Sequence, residues 1–229
     1  MTNLIENVAI PFRVSRTQQL LTKHTNQNEK TRQVEKALVD WGNAAEFDLV
    51  RSTLTSGASG TSPKMSGILE AISKSTNVTA HSSGTVWSAS ILKGLLKDQY
   101  DNANGMVATD LFLGSFLRDK TDDFTSNRSL TINTNAADKT LIDAVDKYQT
   151  SFGILNIHTH RYLQQSGDAT GRVLGVNREK VKIAYLERPR IDTGLARSGD
   201  YESLAVIGKL TVEMRNQDVN FLATGIDKD

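Results

Sequence analysis

His158 and His160, separated by one threonine, come nearer to metal chemistry than any other residues in this chain. On a β-strand, side chains two apart leave the same face, so both imidazoles can reach one ion. A third ligand would have to be Asp168, His81 or His24, and nothing in the spacing brings any of them close. Exposed or hydrogen-bonded strand histidines are the simpler reading, and a His-dependent metalloenzyme stands only as an alternative. Ser56–Pro63, SGASGTSP, is glycine-rich, but a helical pattern precedes it and no Gly-Lys-Ser/Thr follows. A phosphate cradle needs strand, loop and helix in that order. There is no Gly-x-Ser-x-Gly elbow to present a nucleophilic serine. Glu187, Asp192 and Asp200 lie near arginines, where ion pairing is a plainer role than proton transfer, and Asp119, Asp122 and Asp123 read as a solvated helix end. No catalytic, metal or cofactor residue is assigned, and a structural or binding role is expected.

The elements that would position any site begin with the longest helical pattern in the chain, Asn26 to Thr55. Val34, Leu38, Trp41, Ala45 and Leu49 recur at helical spacing and form the expected core face. Val39, Phe47, Val50 and Leu54 make a second apolar line, so the helix reads as a strut with material on more than one side. Asn26 or Asn28 can cap its start, with Glu29 favouring the positive end of the dipole. Gly42 in its middle costs about 1 kcal/mol relative to alanine and suggests close approach of another backbone.

Before the strut, residues 5 to 14 read as an extended strand interrupted at Pro11, which implies an edge or a bend. This strand has no partner nearby in sequence, so it pairs far away or lies on another molecule. Gly67 to Lys74 predicts a short helix or turn, and Asn77 to Gly84 a polar loop. Thr85 is placed to cap a helix through Asn102, Met106–Thr109 predicts a short strand, and Asp110 a cap for a third helix. Strands follow over Leu130–Asn133, Leu141–Thr150, Ile154–Leu163, Arg172–Val176, Val181–Leu186, Leu204–Met214 and Val219–Ile226. The alternation is clearest from Leu204 to Met214.

The 229 residues are enough for one large domain or two intimate ones. With 27 basic and 26 acidic residues, the overall charge favours no particular partner. No cysteine is present, so disulfides and thiolate sites are excluded, and a reducing cytoplasm suits the composition. No apolar run approaches the roughly 20 residues of a membrane span, and no signal peptide is recognisable at Met1. Six basic residues between Arg178 and Arg197 form the one local charge bias, read as a solvated loop edge or an intersubunit contact. Trp41, Phe47 and Trp87 sit on helical apolar faces and read as core.

Four short motifs then occur in order: Asp146–Gly153 (DKYQTSFG), Tyr185–Pro189 (YLERP), Leu195–Asp200 (LARSGD) and Gly208–Asn216 (GKLTVEMRN). With the long helix and the strand leading to Val14-Ser15-Arg16-Thr17, they make the chain resemble major capsid proteins of tailed phages, over nearly its whole length. Those proteins share the Hong Kong 97 type fold, an α+β fold with a long spine helix, a peripheral domain and an axial domain. The resemblance implies that residues 1–25 are the returning strand of an extension loop reaching over a neighbour. It implies a peripheral domain over 26–84 with the spine helix at 26–55, an axial domain over 85–180, and return strands over 181–229. It implies subunit contacts through Val8, Ile10, Phe12, Arg13, Arg188, Arg190, Arg197 and Asp200. The implied partners are other copies, as hexamers and pentamers, and packaged double-stranded DNA bound non-specifically, with scaffold, portal and cement proteins besides. No membrane is implied, and the protein would be assembled in the host cytoplasm and reside in the virion. A non-viral nanocompartment shell is the alternative within the same architecture. Family members carry an N-terminal arm and the outgoing strand of the extension loop before the point where this sequence begins. A shortened form, or a Met1 that is not the full-length start, is therefore expected.

Overall fold

The computed structural model describes residues 2–20, 28–125, 147–164, 168, 170–194 and 199–227. The strand expected at Leu130–Asn133, the start of the one expected at Leu141, and His24, Asn26 and Arg197 lie outside these residues. The chain divides into two units, Met1–Glu70 with Ile183–Glu213, and Ala71–Lys182 with Met214–Asp229. The sequence reading assigned residues 71–84 and 214–229 to the same part as the long helix. They belong instead to the second unit, because their strands complete its sheet.

The first unit is a helix laid along a three-stranded sheet. Strand β1 (Glu6–Ser15) is followed by the short helix α1 (Arg16–Leu20) and the long helix α2 (Glu29–Arg51). Strands β7 (Val181–Asp192) and β8 (Tyr201–Met214) complete it, in the order β1-β8-β7. β1 runs antiparallel to β8, from Glu6 opposite Leu210 to Ser15 opposite Tyr201. Pro11 sits on this edge strand, where its missing N–H breaks no central ladder. The strand without a nearby partner therefore finds one about 200 residues away in its own chain.

Helix α2 starts where Asn28 caps it, the side chain accepting from the Lys30 N–H at 3.1 Å. It stops at Arg51, earlier than the Thr55 that the pattern suggests, because Ser52 turns extended and the chain folds back, with Thr55 bridging Lys64. Its buried face is Ala37, Trp41, Ala45 and Val50. The expected line was rotated: Trp41 and Ala45 lie on the true face, Val34 and Leu49 are half-buried, and Leu38 is 41% exposed. The small Ala37 lets the helix approach the sheet where Leu38 would have held it off. Trp41 closes this core, its indole N–H donating to the Val8 carbonyl at 2.9 Å. A Cβ at Gly208 on β8 would fall 2.5 Å from the indole, so glycine makes room for the ring.

The second unit holds helices α3 (Ile68–Ser73, which begins in the first unit), α4 (Ala89–Asn102) and α5 (Ser115–Asp122). Its strands are β2 (Val78–Thr85), β3 (Asp110–Leu113), β4 (Lys147–Thr150), β5 (Gly153–Thr159), β6 (Gly171–Val176) and β9 (Phe221–Ile226). They form one mixed sheet in the order β2-β9-β6-β3-β5-β4, with β2/β9 and β3/β5 parallel. Leu92 and Leu96 of α4 and Leu117 of α5 pack with Leu111, Leu113, Val173 and Phe221 of the sheet in one buried cluster. Trp87 donates its indole N–H to the Thr121 hydroxyl at 2.9 Å within it. Gln99, fully buried, accepts from the Ala108 N–H at 3.0 Å and donates to the Val219 carbonyl.

Three expectations about this unit are corrected. Residues 77–84 are not a loop: β2 is an edge strand paired parallel to β9, and its polar residues suit an edge. The helix after it starts at Ala89, not at Thr85. Asp110 caps no helix either. It opens β3, which lies between β5 and β6 in the sheet, and the helix begins only after Gly114. A strand buried on both faces shows no alternation and reads like a piece of buried helix.

Candidate assembly interface

The histidine pair sits on and just after β5, and it is engaged by its own sheet. The His158 ring lies stacked on Phe112 at 5.3 Å between centroids, and His160 meets the same ring edge-on at 6.2 Å. Nε2 of His158 is 3.0 Å from the Asp110 carboxylate. That carboxylate, almost fully buried, also accepts from Arg178 at 2.7 Å and from the Thr109 hydroxyl at 2.7 Å. Asp168, offered as a third ligand, lies 3.9 Å from Arg172 instead. Among the described residues, no three His, Cys, Asp or Glu side chains converge as metal ligands would. The arrangement ties β3 to β5 and to the turn after β6 through one buried carboxylate. Asp110 was missed in the sequence because it was read as a cap.

Of the contact residues expected on β1, Val8 is corrected: it is 6% exposed, under α2 in its own unit. Ile10 and Phe12 are half-buried on the same alternating face, and Arg13 is exposed on the other. Asp200 turns toward its own α1, its carbonyl accepting from the Arg16 N–H at 3.0 Å and its carboxylate from the Thr17 hydroxyl at 3.4 Å. Arg188 and Arg190 stand exposed on β7, Arg190 paired with Glu187, which also reaches Lys209 at 3.2 Å.

β7 is the least covered of the three strands of the first unit, with no buried residue along it. It is an edge strand, and the consecutive residues Tyr185 and Leu186 are both exposed, at 47% and 68%. Consecutive strand residues face opposite ways, so neither face is covered there. Pro189 between two arginines blunts the free edge against uncontrolled pairing. Nine of the thirteen large exposed hydrophobic residues among those described fall in the first unit. That surface is a candidate for contact with another chain.

At the opposite end of β1, two carboxylates set a pH dependence. Burial, reinforced by the Asp48 charge, raises the Glu6 carboxyl above its ordinary 4.5. Hydrogen bonds from the Met65 N–H and the Ser52 hydroxyl, each at 3.2 Å, and the Lys64 charge oppose this only in part. Burial likewise raises Asp48 above 3.8 against the pull of Lys64. Groups that hold protons more tightly when folded contribute stability below their unfolded pKa, and that stability is lost as pH rises through the folded one. Asp110 has the opposite sign. Burial pushes it up, but the bonds from Thr109 and His158 and the Arg178 charge outweigh burial and hold it below 3.8. Its contribution is present above 3.8 and lost as pH falls through the depressed value. Unfolding of the first unit, followed at Trp41, is therefore expected to shift to higher denaturant on acidification from neutrality toward pH 5. Glu6→Gln is expected to flatten that shift, and Trp87 is expected to report weakening of the second unit only at lower pH.

The chain matches the family model described as SU10 major capsid protein over residues 1–227. No curated protein sequence matches it significantly. In solved structures it is similar to the holo-SrpI encapsulin of Synechococcus elongatus PCC 7942, at a TM-score of 0.68 and 9% identity, covering 98% of this chain and 75% of that one. It is similar to the capsid of Myoviridae phage XM1, at 0.62 and 13%, covering 97% and 74%. It is also similar to a chain of Microbacterium phage Oxtober96, at 0.61 and 14%, covering 98% and 73%. At these identities the structures show the fold, which is the Hong Kong 97 type that phage capsids and encapsulins share. The family match decides between them, and this chain belongs to the SU10 family of phage major capsid proteins.

Proposed function

We propose that this major capsid protein builds its shell as hexamers and pentamers, with the first unit as the peripheral domain and the second as the axial domain. The observation that carries this reading is the exposed β7, an apolar edge strand bare on both faces in the isolated chain. Arg13, Arg188, Arg190, Arg197 and Asp200, with Ile10 and Phe12, are assigned to contacts between copies; Val8, buried in its own unit, is not. Closed symmetry makes such individually weak contacts cooperative. The chain works by assembly rather than catalysis. It encloses double-stranded DNA in the virion after assembly in the host cytoplasm, with scaffold, portal and cement proteins as further partners.

A shell around DNA and a nanocompartment around protein cargo differ in what they protect. Particles isolated from infected cells and treated with nuclease are expected to retain double-stranded DNA. Protein cargo with no protected nucleic acid would support the nanocompartment instead. Because the net charge is only +1, contact of free subunits with DNA is expected to be weak, sequence-independent and abolished by raising salt.

A further inference from the structure

One end of the second unit is apolar on two opposite sides. Three of the four large exposed hydrophobic residues described in that unit lie there: Tyr100 at 46%, Met106 at 37% and Ile154 at 57%. Tyr100 is near the end of α4, its ring 5.6 Å from that of Phe152 in the turn between β4 and β5. The loop from α4 to β3 passes against the same two places. A Cβ at Gly105 would fall 3.5 Å from the Tyr100 ring, and one at Gly153, the first residue of β5, 3.7 Å from the Val107 side chain.

The sheet fixes which side each residue takes. Leu155 and Ile157 of β5 pack with Leu95 and Leu96 of α4 in the buried cluster. Alternation therefore turns Ile154 to the side away from the helix. Gln149, directly across from Ile154, and Lys147, across from Asn156, share that side. Tyr100 stands on the helix side, where α4 also exposes Lys97, Asp98 and Asp101. The β4–β5 hairpin exposes Lys147 and has no acidic residue from Lys147 to Thr159. The helix side is thus apolar with an acidic excess, and the sheet side apolar with a basic one.

Together these side chains offer on the order of 300 Å² of apolar surface, the size of a single functional patch. A stable pair of proteins takes about 800 Å² from each partner. Neither side is large enough to hold a lone partner, whereas contacts repeated around a closed ring reinforce one another. A ring also uses two unlike sides of each copy, one toward the neighbour before and one toward the neighbour after.

We infer that this end of the second unit is a ring contact between copies, in which Tyr100 and Phe152 of one copy meet Ile154 of the next. Lys147 of the second copy then faces the acidic flank of α4 in the first. The inference rests on the reading of the chain as a self-assembling shell subunit, and adds to the β7 surface a contact made by the other unit.

The test uses the full chain, which has no native cysteine to interfere. A Tyr100→Cys/Ile154→Cys double variant, concentrated and mildly oxidised, is expected to give a ladder of disulfide-linked chains ending at five or six. Each single cysteine variant is expected to give no linked dimer. Ile154→Gln alters an exposed side chain, so the thermal midpoint of the dilute subunit is expected to be unlowered. The concentration it needs for assembly, read by sedimentation velocity, is expected to rise at least tenfold. If the unsubstituted chain assembles but the double variant gives no ladder, the ring contact is wrong and the shell reading stands. Assembly of Ile154→Gln at the unsubstituted concentration, or linked dimers from one cysteine alone, would overturn the contact in the same way. An unsubstituted chain that never associates would overturn the shell reading itself, and the contact with it.

Discussion

Trp41→Ala is expected to unfold the first unit under conditions where the second remains folded. The indole fills the space between α2 and β8 left by Gly208, and its N–H donates to the Val8 carbonyl at 2.9 Å. Truncating a buried aromatic of this size costs about 3–5 kcal/mol, comparable with the whole stability of a small domain. Trp41→Phe divides the effect. It retains most of the packing and deletes the donor, so the expected loss is about 1–3 kcal/mol for an unpartnered buried carbonyl. Urea unfolding followed by far-ultraviolet circular dichroism measures both. Trp87 is the only other tryptophan and lies in the second unit, so its fluorescence reports that unit separately in the Trp41 variants. Equal stability of Trp41→Ala and the unsubstituted chain would show that the strut is held by something other than this ring.

Gly225→Ala is expected to have an effect of similar size on the second unit, by a different mechanism. Gly225 has φ of +79°, where an L side chain costs about 1–2 kcal/mol. Its added Cβ would also lie 2.1 Å from the His81 carbonyl oxygen, across the parallel β2/β9 pairing. That neighbour is backbone and cannot rotate aside, so the strands must separate. The combined loss is expected to exceed about 4 kcal/mol, the range reserved for specific structural damage. Gly60→Ala is the matched control, with φ of +85° and nothing within 4 Å of its Cβ. It should lose only the conformational part. Expression, solubility and thermal midpoint of the two variants separate strain from collision, and equal effects would contradict the geometry.

Much of the first unit was legible in the sequence. The long helix, its Asn28 cap, the alternation of β8 and the edge position of Pro11 all follow from local rules. The rotation of the helix was not legible, because Leu38 and Ala37 compete for the same turn. Hydrophobicity favours Leu38, whereas close packing on the sheet selects Ala37. The apolar residues left over, Leu38 and Val39, stay exposed at 41% and 64%. In the second unit, β2 and β3 were obscured for opposite reasons. β2 is polar and is held as a strand only by β9, more than 130 residues later. β3 is buried on both sides and lacks any period. Its Asp110 drew a capping assignment by residue type, whereas in the fold it gathers His158, Arg178 and Thr109 from other segments. Partners chosen by tertiary structure leave no local signal.

Assembly tests the account most directly. The purified chain, concentrated and imaged by electron microscopy, is expected to form closed shells, capsomer rings or curved sheets of repeating subunits. A chain that stays folded and monomeric at every concentration, with and without the other proteins of its particle, would contradict its role as a shell subunit.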